Sequence, residues 1–244
     1  MKNIKTTGIV IAENSLGDSD KILTILTPNI GKITCTAKGA KRPKSTLLAG
    51  SQLLCFGEYM LRKSNEMYSI QSCETIEVFY DIRTDLDKLN YASTIVKIIT
   101  DVTTENQNNY HILKLFLNTL YIISESDKNL DFIMSVFRIR LLKILGYAPN
   151  VEKCSGCGKR DEPLTEFSIS GDGFKCANCS KLDKSCIKLS EGSRYAIIYS
   201  LKADPKKLFS FNISEPALKE FELISRLYFN EKLEKEYKIV NLLK

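Results

Sequence analysis

Tryptophan is absent from this 244-residue chain, and histidine occurs once, at position 111. A single histidine excludes a His-rich catalytic metal centre and makes Ser-His-Asp or Cys-His chemistry depend on that one side chain. His111 stands at an expected helix start with no nucleophile near it in sequence, and reads as a surface or capping residue. No segment approaches the ~18 uninterrupted apolar residues of a membrane span. Near the N-terminus the apolar run from Gly8 to Ala12 falls short of the ~7–15-residue core of a signal peptide. Phosphate-binding G-x4-G-K-[ST], dinucleotide-binding G-x-G-x-x-G and nucleophile-elbow G-x-S-x-G motifs are all missing. The expectation is a soluble, cytoplasmic, non-enzymatic protein with no membrane partner. Its 43% hydrophobic and 26% charged residues suit folded domains and are too apolar for a disordered chain.

A local absence says more. Between Asp20 and Glu58 there is no acidic residue, while Lys21, Lys32, Lys38, Lys41, Arg42 and Lys44 fall in that interval. The chain carries a formal +6 overall. Residues 1–80 contribute +3 of it and residues 181–244 +4, against 0 for 81–150 and −1 for 151–180. A charge run is often just a solvated face, but cations without compensating acids leave a positive potential that attracts polyanions.

Residues 4–13, 21–27, 32–37, 52–62 and 67–74 read as five short strands of high β-propensity. Turn residues punctuate them: 14–20, with Asp18 and Asp20 as turn formers (the alternative being a metal-binding acidic pair), and Pro28-Asn29-Ile30-Gly31. The basic segment 38–51 reads as a loop. Five such strands suggest a small closed barrel, the five-stranded OB-fold. After Tyr80 the apolar period becomes helical. A helix opens with Thr84 and Asp87 as a capping box and carries Leu89, Ala92, Ile95 and Ile99 on one stripe. A second, about 109–124, places Tyr110, Leu113, Leu117, Leu120 and Tyr121 on one face. A third, about 129–145, turns Ile133, Met134, Phe137 and Leu141 inward and stops at Gly146 and Pro149. Further helices follow Ser190 and Ser214, the latter with Pro216 in its first turn.

The helical part is interrupted by Cys154-x2-Cys157-x18-Cys176-x2-Cys179. Two C-x2-C knuckles at this spacing bring four thiolates to one ion, the closed tetrahedral site that Zn²⁺ favours. Four sulfur ligands leave no position for water, so the expected role is structural. Two disulfides from the same residues remain an alternative in an oxidised sample, and Cys186 is a spare thiol. Cys35, Cys55 and Cys73 fall on strands and read as core residues. The expected fold class is a multidomain α+β chain. Residues 1–80 form the barrel, 81–150 the first part of a helical domain, 151–186 an inserted four-cysteine, zinc-ribbon-like module, and 187–244 the C-terminal helical part.

Several segments resemble the RecO family of bacterial recombination mediators. They are Thr7-Gly8-Ile9-Val10, residues 16–27 beginning Leu16-Gly17-Asp18-Ser19-Asp20, Gly31-Lys32, and Ala37-Lys38-Gly39-Ala40-Lys41-Arg42-Pro43-Lys44-Ser45. The similarity continues at Arg83-Thr84-Asp85-Leu86, at Gly146-Tyr147-Ala148-Pro149 and through both cysteine knuckles, covering most of residues 1–180. Lys21 and Lys41 stand where the family often carries Arg, which keeps the charge and gives up a bidentate fork. The resemblance implies an OB-fold, a helical domain and a zinc module. It also implies binding of single- and double-stranded DNA, annealing of complementary strands, and help in loading RecA onto strands coated by single-strand-binding protein (SSB). RecR and the C-terminal tail of SSB are the implied partners, and the location is nucleoid-associated.

On the residues themselves, Lys32, Lys38, Lys41, Arg42 and Lys44 are the candidate DNA-binding set. If all five touch phosphates of one strand, log K falls with log salt at a slope of about −3.5. Phe56, Tyr59 and Tyr68 are candidates for stacking on unpaired bases, with strand alternation burying some of them. Arg138, Arg140 and Lys143 beside an apolar stripe suggest a surface for an acidic, apolar tail. The alternative reading is an RNA-binding or protein-interaction adaptor without annealing activity.

Overall fold

The computed structural model describes residues 2–64 and 67–240. Strands β1 (Lys2–Leu16), β2 (Asp20–Leu26), β3 (Lys32–Ala37), β4 (Phe56–Ser64) and β5 (Met67–Glu77) close into a barrel of order β1-β2-β3-β5-β4. Every pairing is antiparallel except β3 with β5. This is the OB-fold expected from the strand count. β1 serves both sides of the barrel, pairing with β4 up to Ile9 and with β2 from Ile9 onward. Gly8 stands at that crossover. A Cβ there would lie 2.6 Å from Ile25 Cγ2 and 2.9 Å from the Leu26 carbonyl, so the bend admits no side chain.

Period-2 alternation sends Val10, Leu23, Ile25, Ile33, Cys35, Tyr59, Leu61 and Ile70 into the barrel core. Each large aliphatic buried this way contributes about 2 kcal/mol. β4 begins at Phe56 and not at Gln52. Leu54 adopts a left-handed φ of 63°, its N–H donates to the Val10 carbonyl at 2.9 Å, and the chain is still turning there.

Helices α1 (Tyr80–Thr84), α2 (Leu86–Val102) and α3 (Tyr110–Glu125) follow. The chain forms two compact units, the first running to Ser124 and taking in Val240, the second spanning Glu125–Ile239. The helices up to residue 124 therefore share a unit with the barrel. The joint is specific: the Lys32 N–H donates to Thr104 O and the Asn106 N–H to Ile30 O. Asp85, not Thr84, caps α2, its side chain accepting from the Lys88 N–H at 3.0 Å; Thr84 closes α1 instead. α3 buries the expected Leu113 and Leu120 but turns its two tyrosines outward. It also buries Ile112, Phe116 and Ile123, whereas Tyr110 and Tyr121 are exposed, because an aromatic with a polar tip tolerates the helix margin better than an isoleucine does.

In the second unit α4 (Leu130–Ile144), α6 (Glu191–Lys202) and α7 (Glu215–Leu233) pack on one another. Asn129 caps α4 by accepting from the Asp131 and Phe132 N–H groups, and Ser190 caps α6. Gly146, at φ 88°, ends the α4 segment as its position suggests. Strands β6 (Leu164–Ser168), β7 (Gly173–Cys176) and β8 (Cys186–Lys188) form a sheet of order β7-β6-β8, with a single turn α5 (Ala177–Ser180) after β7. The third strand carries no sequence signature beyond Cys186-Ile187-Lys188. Among the described residues no helix is long and apolar enough to cross a membrane.

Candidate nucleic-acid interface and metal centre

Residues 38–55 wind through successive turns, with Arg42 N–H on Gly39 O, Ser45 N–H on Arg42 O and Leu48 N–H on Ser45 O. The inner side of this segment is apolar and closes one end of the barrel: Ala40 and Leu47 are buried, and the buried Tyr59 hydroxyl donates to Gly50 O at 2.9 Å. The outer side is cationic. Lys38, Lys41, Arg42 and Lys44 are all exposed.

The turn before β2 holds this loop in place. Asp20 Oδ1 accepts from the Gly39 N–H at 2.7 Å, Ser19 O from the Lys41 N–H at 3.0 Å, and Gly17 O from Lys41 Nζ at 3.2 Å. Asp20 is thus a loop anchor, in keeping with the turn reading of the Asp18–Asp20 segment. On the far side Arg83 of α1 donates to Gln52 Oε1 and the Leu53 carbonyl, a clamp that only the three-dimensional structure reveals.

The fold does not bring Lys32 to this cluster. It lies at the opposite end of β3 from Lys38, and its partly buried Nζ donates to the Thr100 carbonyl of α2 at 2.7 Å. An ammonium there meets the partial negative charge near a helix C-terminus. Lys21 is likewise engaged, with Glu13 at 2.6 Å and the Ser51 carbonyl at 3.3 Å. Of the stacking candidates, Tyr59 has no exposed surface and burial pushes its phenol up, so it is a core residue. Phe56 and Tyr68 are half-buried. Tyr68 belongs to a rim that the sequence pattern did not single out, where Arg62 and Lys63 stand exposed at the end of β4 and Lys63 Nζ lies 5.2 Å from the Tyr68 ring centroid.

The α4 cations are not the open surface their spacing suggested. Arg138 has 3% of its side chain exposed and pairs with Glu222 at 3.5 Å; burial lowers its pKa against the pull of that carboxylate. Arg140 is buried and donates to Ala203 O, while Lys143 donates to Leu201 O. α4 is the central helix of its unit and is covered on nearly every side, so its arginines serve to hold neighbouring chain. His111 is exposed, edge-on to Tyr110 at 5.4 Å.

Cys154, Cys157, Cys176 and Cys179 converge, with all four Sγ atoms within 4.8 Å of one another. Four thiolates ~2.3 Å from a tetrahedral ion are separated by about 3.8 Å, and Cys157 and Cys176 already stand at 3.9 Å. The knuckles are built for close approach. A Cβ on Gly156 would lie 3.0 Å from Cys179 Cβ, and the Cys176 N–H donates to Cys154 Sγ at 3.4 Å. Burial raises the Cys154 thiol, yet backbone N–H groups of Cys176, Cys157 and Gly156 outweigh it and bring it down, whereas hydrogen bonds with the other three thiols push Cys179 up; it is the convergence of the four sulfurs that matters here. The donor set therefore fits a metal ion. Cys186, on β8, stands outside the group. Cys35 and Cys55 are buried, and burial pushes the Cys35 thiol up to about 12, which makes it inert. Cys73 is half-buried on β5.

Comparison with known families agrees with this geometry. A model described as Recombination protein O N terminal matches residues 1–79, and one described as Recombination protein O C terminal matches residues 83–239. A DNA repair protein RecO of Acetivibrio thermocellus is 46% identical over 244 residues, covering 100% of this chain and 97% of that protein. The chain belongs to the RecO family. Other RecO relatives include that of a Thermoanaerobacter species, 33% identical over 98% of this chain and 96% of its own length, and that of Caldicellulosiruptor saccharolyticus, 32% identical over 100% and 99%. The RecO N-terminal match is the barrel with its basic loop. The RecO C-terminal match starts inside α1 and takes in the cysteine knuckles.

Proposed function

We propose that this chain is a non-enzymatic mediator of DNA repair and recombination acting in the cytoplasm at the nucleoid. In this reading it binds single- and double-stranded DNA and anneals complementary strands. With RecR it assists loading of RecA onto SSB-coated strands, contacting the SSB C-terminal tail. The observation that carries the reading is the 38–44 loop: four exposed cations on a turn-built scaffold, in a segment free of acidic residues.

Annealing needs no bond chemistry. Contact with phosphates releases counterions and lowers the repulsion between approaching strands, while leaving base edges free to pair. Lys38, Lys41, Arg42 and Lys44 provide these contacts; Lys32, engaged with α2, is not among them. Cys154, Cys157, Cys176 and Cys179 hold one structural Zn²⁺. The two knuckles would be crosslinked through the ion, and four thiolates filling its shell would leave no open position for catalysis.

The test is fluorescence anisotropy of labelled single- and double-stranded DNA with the full chain in dilute buffer, challenged with RNA of the same sequence. Salt-sensitive binding of both DNA forms is expected. No binding to either, with SSB-tail or RecR contact retained, would make the protein an adaptor. Preferential displacement by RNA would make it an RNA-directed module.

A further inference from the structure

The β3–β5 ladder is only two residue pairs long, Cys35↔Tyr68 and Thr36↔Ser69. Past it the strands part: β3 runs into the basic loop at Lys38, while β5 continues beside β4. The divergence opens a cleft of about 650 Å³, within the ~300–1,000 Å³ common for small-ligand sites. Lys38 and Leu47 line it from the loop, Arg62, Met67 and Tyr68 from the β4–β5 hairpin, and Thr36 from β3. None of the described lining residues is acidic.

Tyr68 packs partly against the barrel core, so its ring is held. The Lys63 ammonium lies over the ring at 5.2 Å from the centroid, and the half-buried ring borders the cleft. Lys38 and Arg62 are exposed and have no ion-pair partner among the described residues. An aromatic face flanked by unpaired cations in a cleft of this size has the chemistry of a nucleotide: a π-surface for the base and positive charge for the phosphate.

We propose that this cleft takes one unstacked nucleotide of single-stranded DNA, its base on Tyr68 and its phosphate between Lys38 and Arg62. The inference rests on the DNA-binding reading above and assigns it a division of labour. Lys41, Arg42 and Lys44 hold the phosphate chain of either DNA form, whereas the cleft admits only a base released from a duplex. Stacking uses the face of the base, so its pairing edge stays available to a complementary strand.

The chain contains no tryptophan, so Tyr68→Trp introduces a single indole at the cleft. The full-length variant is titrated with a dye-labelled short oligothymidylate, following indole emission and dye anisotropy together. An abasic deoxyribose-phosphate chain of the same length is the comparison, for variant and parent alike. Indole emission is expected to fall in step with the anisotropy for oligothymidylate and to stay constant for the abasic chain. The parent should bind the abasic chain on the order of 10-fold more weakly. Tyr68→Ala should lose that margin and Tyr68→Phe keep it. Anisotropy that reports binding while emission stays constant, with both chains bound equally well by the parent, overturns the slot and leaves DNA binding standing. No anisotropy change with either chain overturns DNA binding itself, and the slot with it. The parent's preference for bases is read without any substitution, so a Tyr68→Ala protein that failed to fold would not rescue the proposal.

Discussion

Replacing Lys38, Lys41, Arg42 and Lys44 together by glutamine removes four charges and leaves the loop's scaffold in place. The bonds that shape it come from the backbone: Gly39 N–H on Asp20, Lys41 N–H on Ser19 O, and the serial turns from Arg42 to Leu48. Of the four side chains, Lys41 alone has a hydrogen bond among the described residues, an exposed one to Gly17 O at 3.2 Å, whose loss costs little. Each single-strand phosphate contact contributes about 0.7 to the slope of log K against log salt, so four contribute about 2.8. Between about 50 and 200 mM salt that share alone is worth about 50-fold in affinity. Anisotropy titrations of a labelled single strand at several salt concentrations, on parent and variant, give both slopes. The variant's slope should be shallower by about 2–3 units, with an unchanged melting temperature. A variant that keeps its parent's slope and affinity refutes the assignment of the loop to phosphates.

Lys32→Met should leave DNA affinity and its salt slope unchanged while lowering stability by about 1 kcal/mol, through loss of the Nζ bond to Thr100 O; paired titrations and urea melts separate the two effects. Arg138→Ala should cost about 2–3 kcal/mol in urea unfolding, because it strips a buried partner from Glu222, whose other ion-pair partner among the described residues is Arg226 at 2.9 Å; a loss under about 0.5 kcal/mol, the usual range for surface sites, contradicts the buried-pair reading. Stripping zinc with a strong chelator should make the 150–189 segment protease-sensitive, and elemental analysis of the native protein should find about one zinc per chain; a metal-free chain with the segment still protected refutes the structural site. The Lys175 ammonium 2.5 Å away, with the Ser168 and Ser185 hydroxyls and the Ser185 N–H, holds the Asp183 carboxyl well below the usual aspartate range. Its stabilisation is complete above the unfolded value of about 4 and fades as pH falls below it. Thermal melts of the parent should therefore drop more steeply below about pH 4 than those of Asp183→Asn, and parallel curves refute the pairing.

The barrel was legible because its strands alternate and its turns carry Gly, Pro, Asn and Asp at the right intervals. The cysteine cluster was legible because two C-x2-C pairs at this spacing are the pattern that brings four sulfurs together. What stayed hidden depended on contacts far apart in sequence. Lys32 looks like a member of the basic run, yet β3 carries it away from Lys38 and against α2. Arg138 and Arg140 look like a polar face, yet α4 is enclosed by α6 and α7, and hydrogen-bonding partners on distant chain make their burial tolerable. Tyr59 and Tyr68 have the same composition-level promise. Strand register sends one into the core with its hydroxyl on Gly50 and leaves the other at a cleft. The Arg83 clamp on residues 52 and 53 joins elements about 30 residues apart, and no local pattern announces it.

If the loop cations grip phosphates without bond chemistry, strand annealing follows directly. Two complementary labelled oligonucleotides, bare or coated with SSB, are mixed with the native protein and with the four-glutamine variant, and duplex formation is followed by energy transfer. The native protein should accelerate pairing on bare and on coated strands without consuming a nucleotide or altering either strand, and the variant should lose most of the acceleration. Pairing at the spontaneous rate with the native protein, or equal acceleration by the variant, would contradict that reading of the loop.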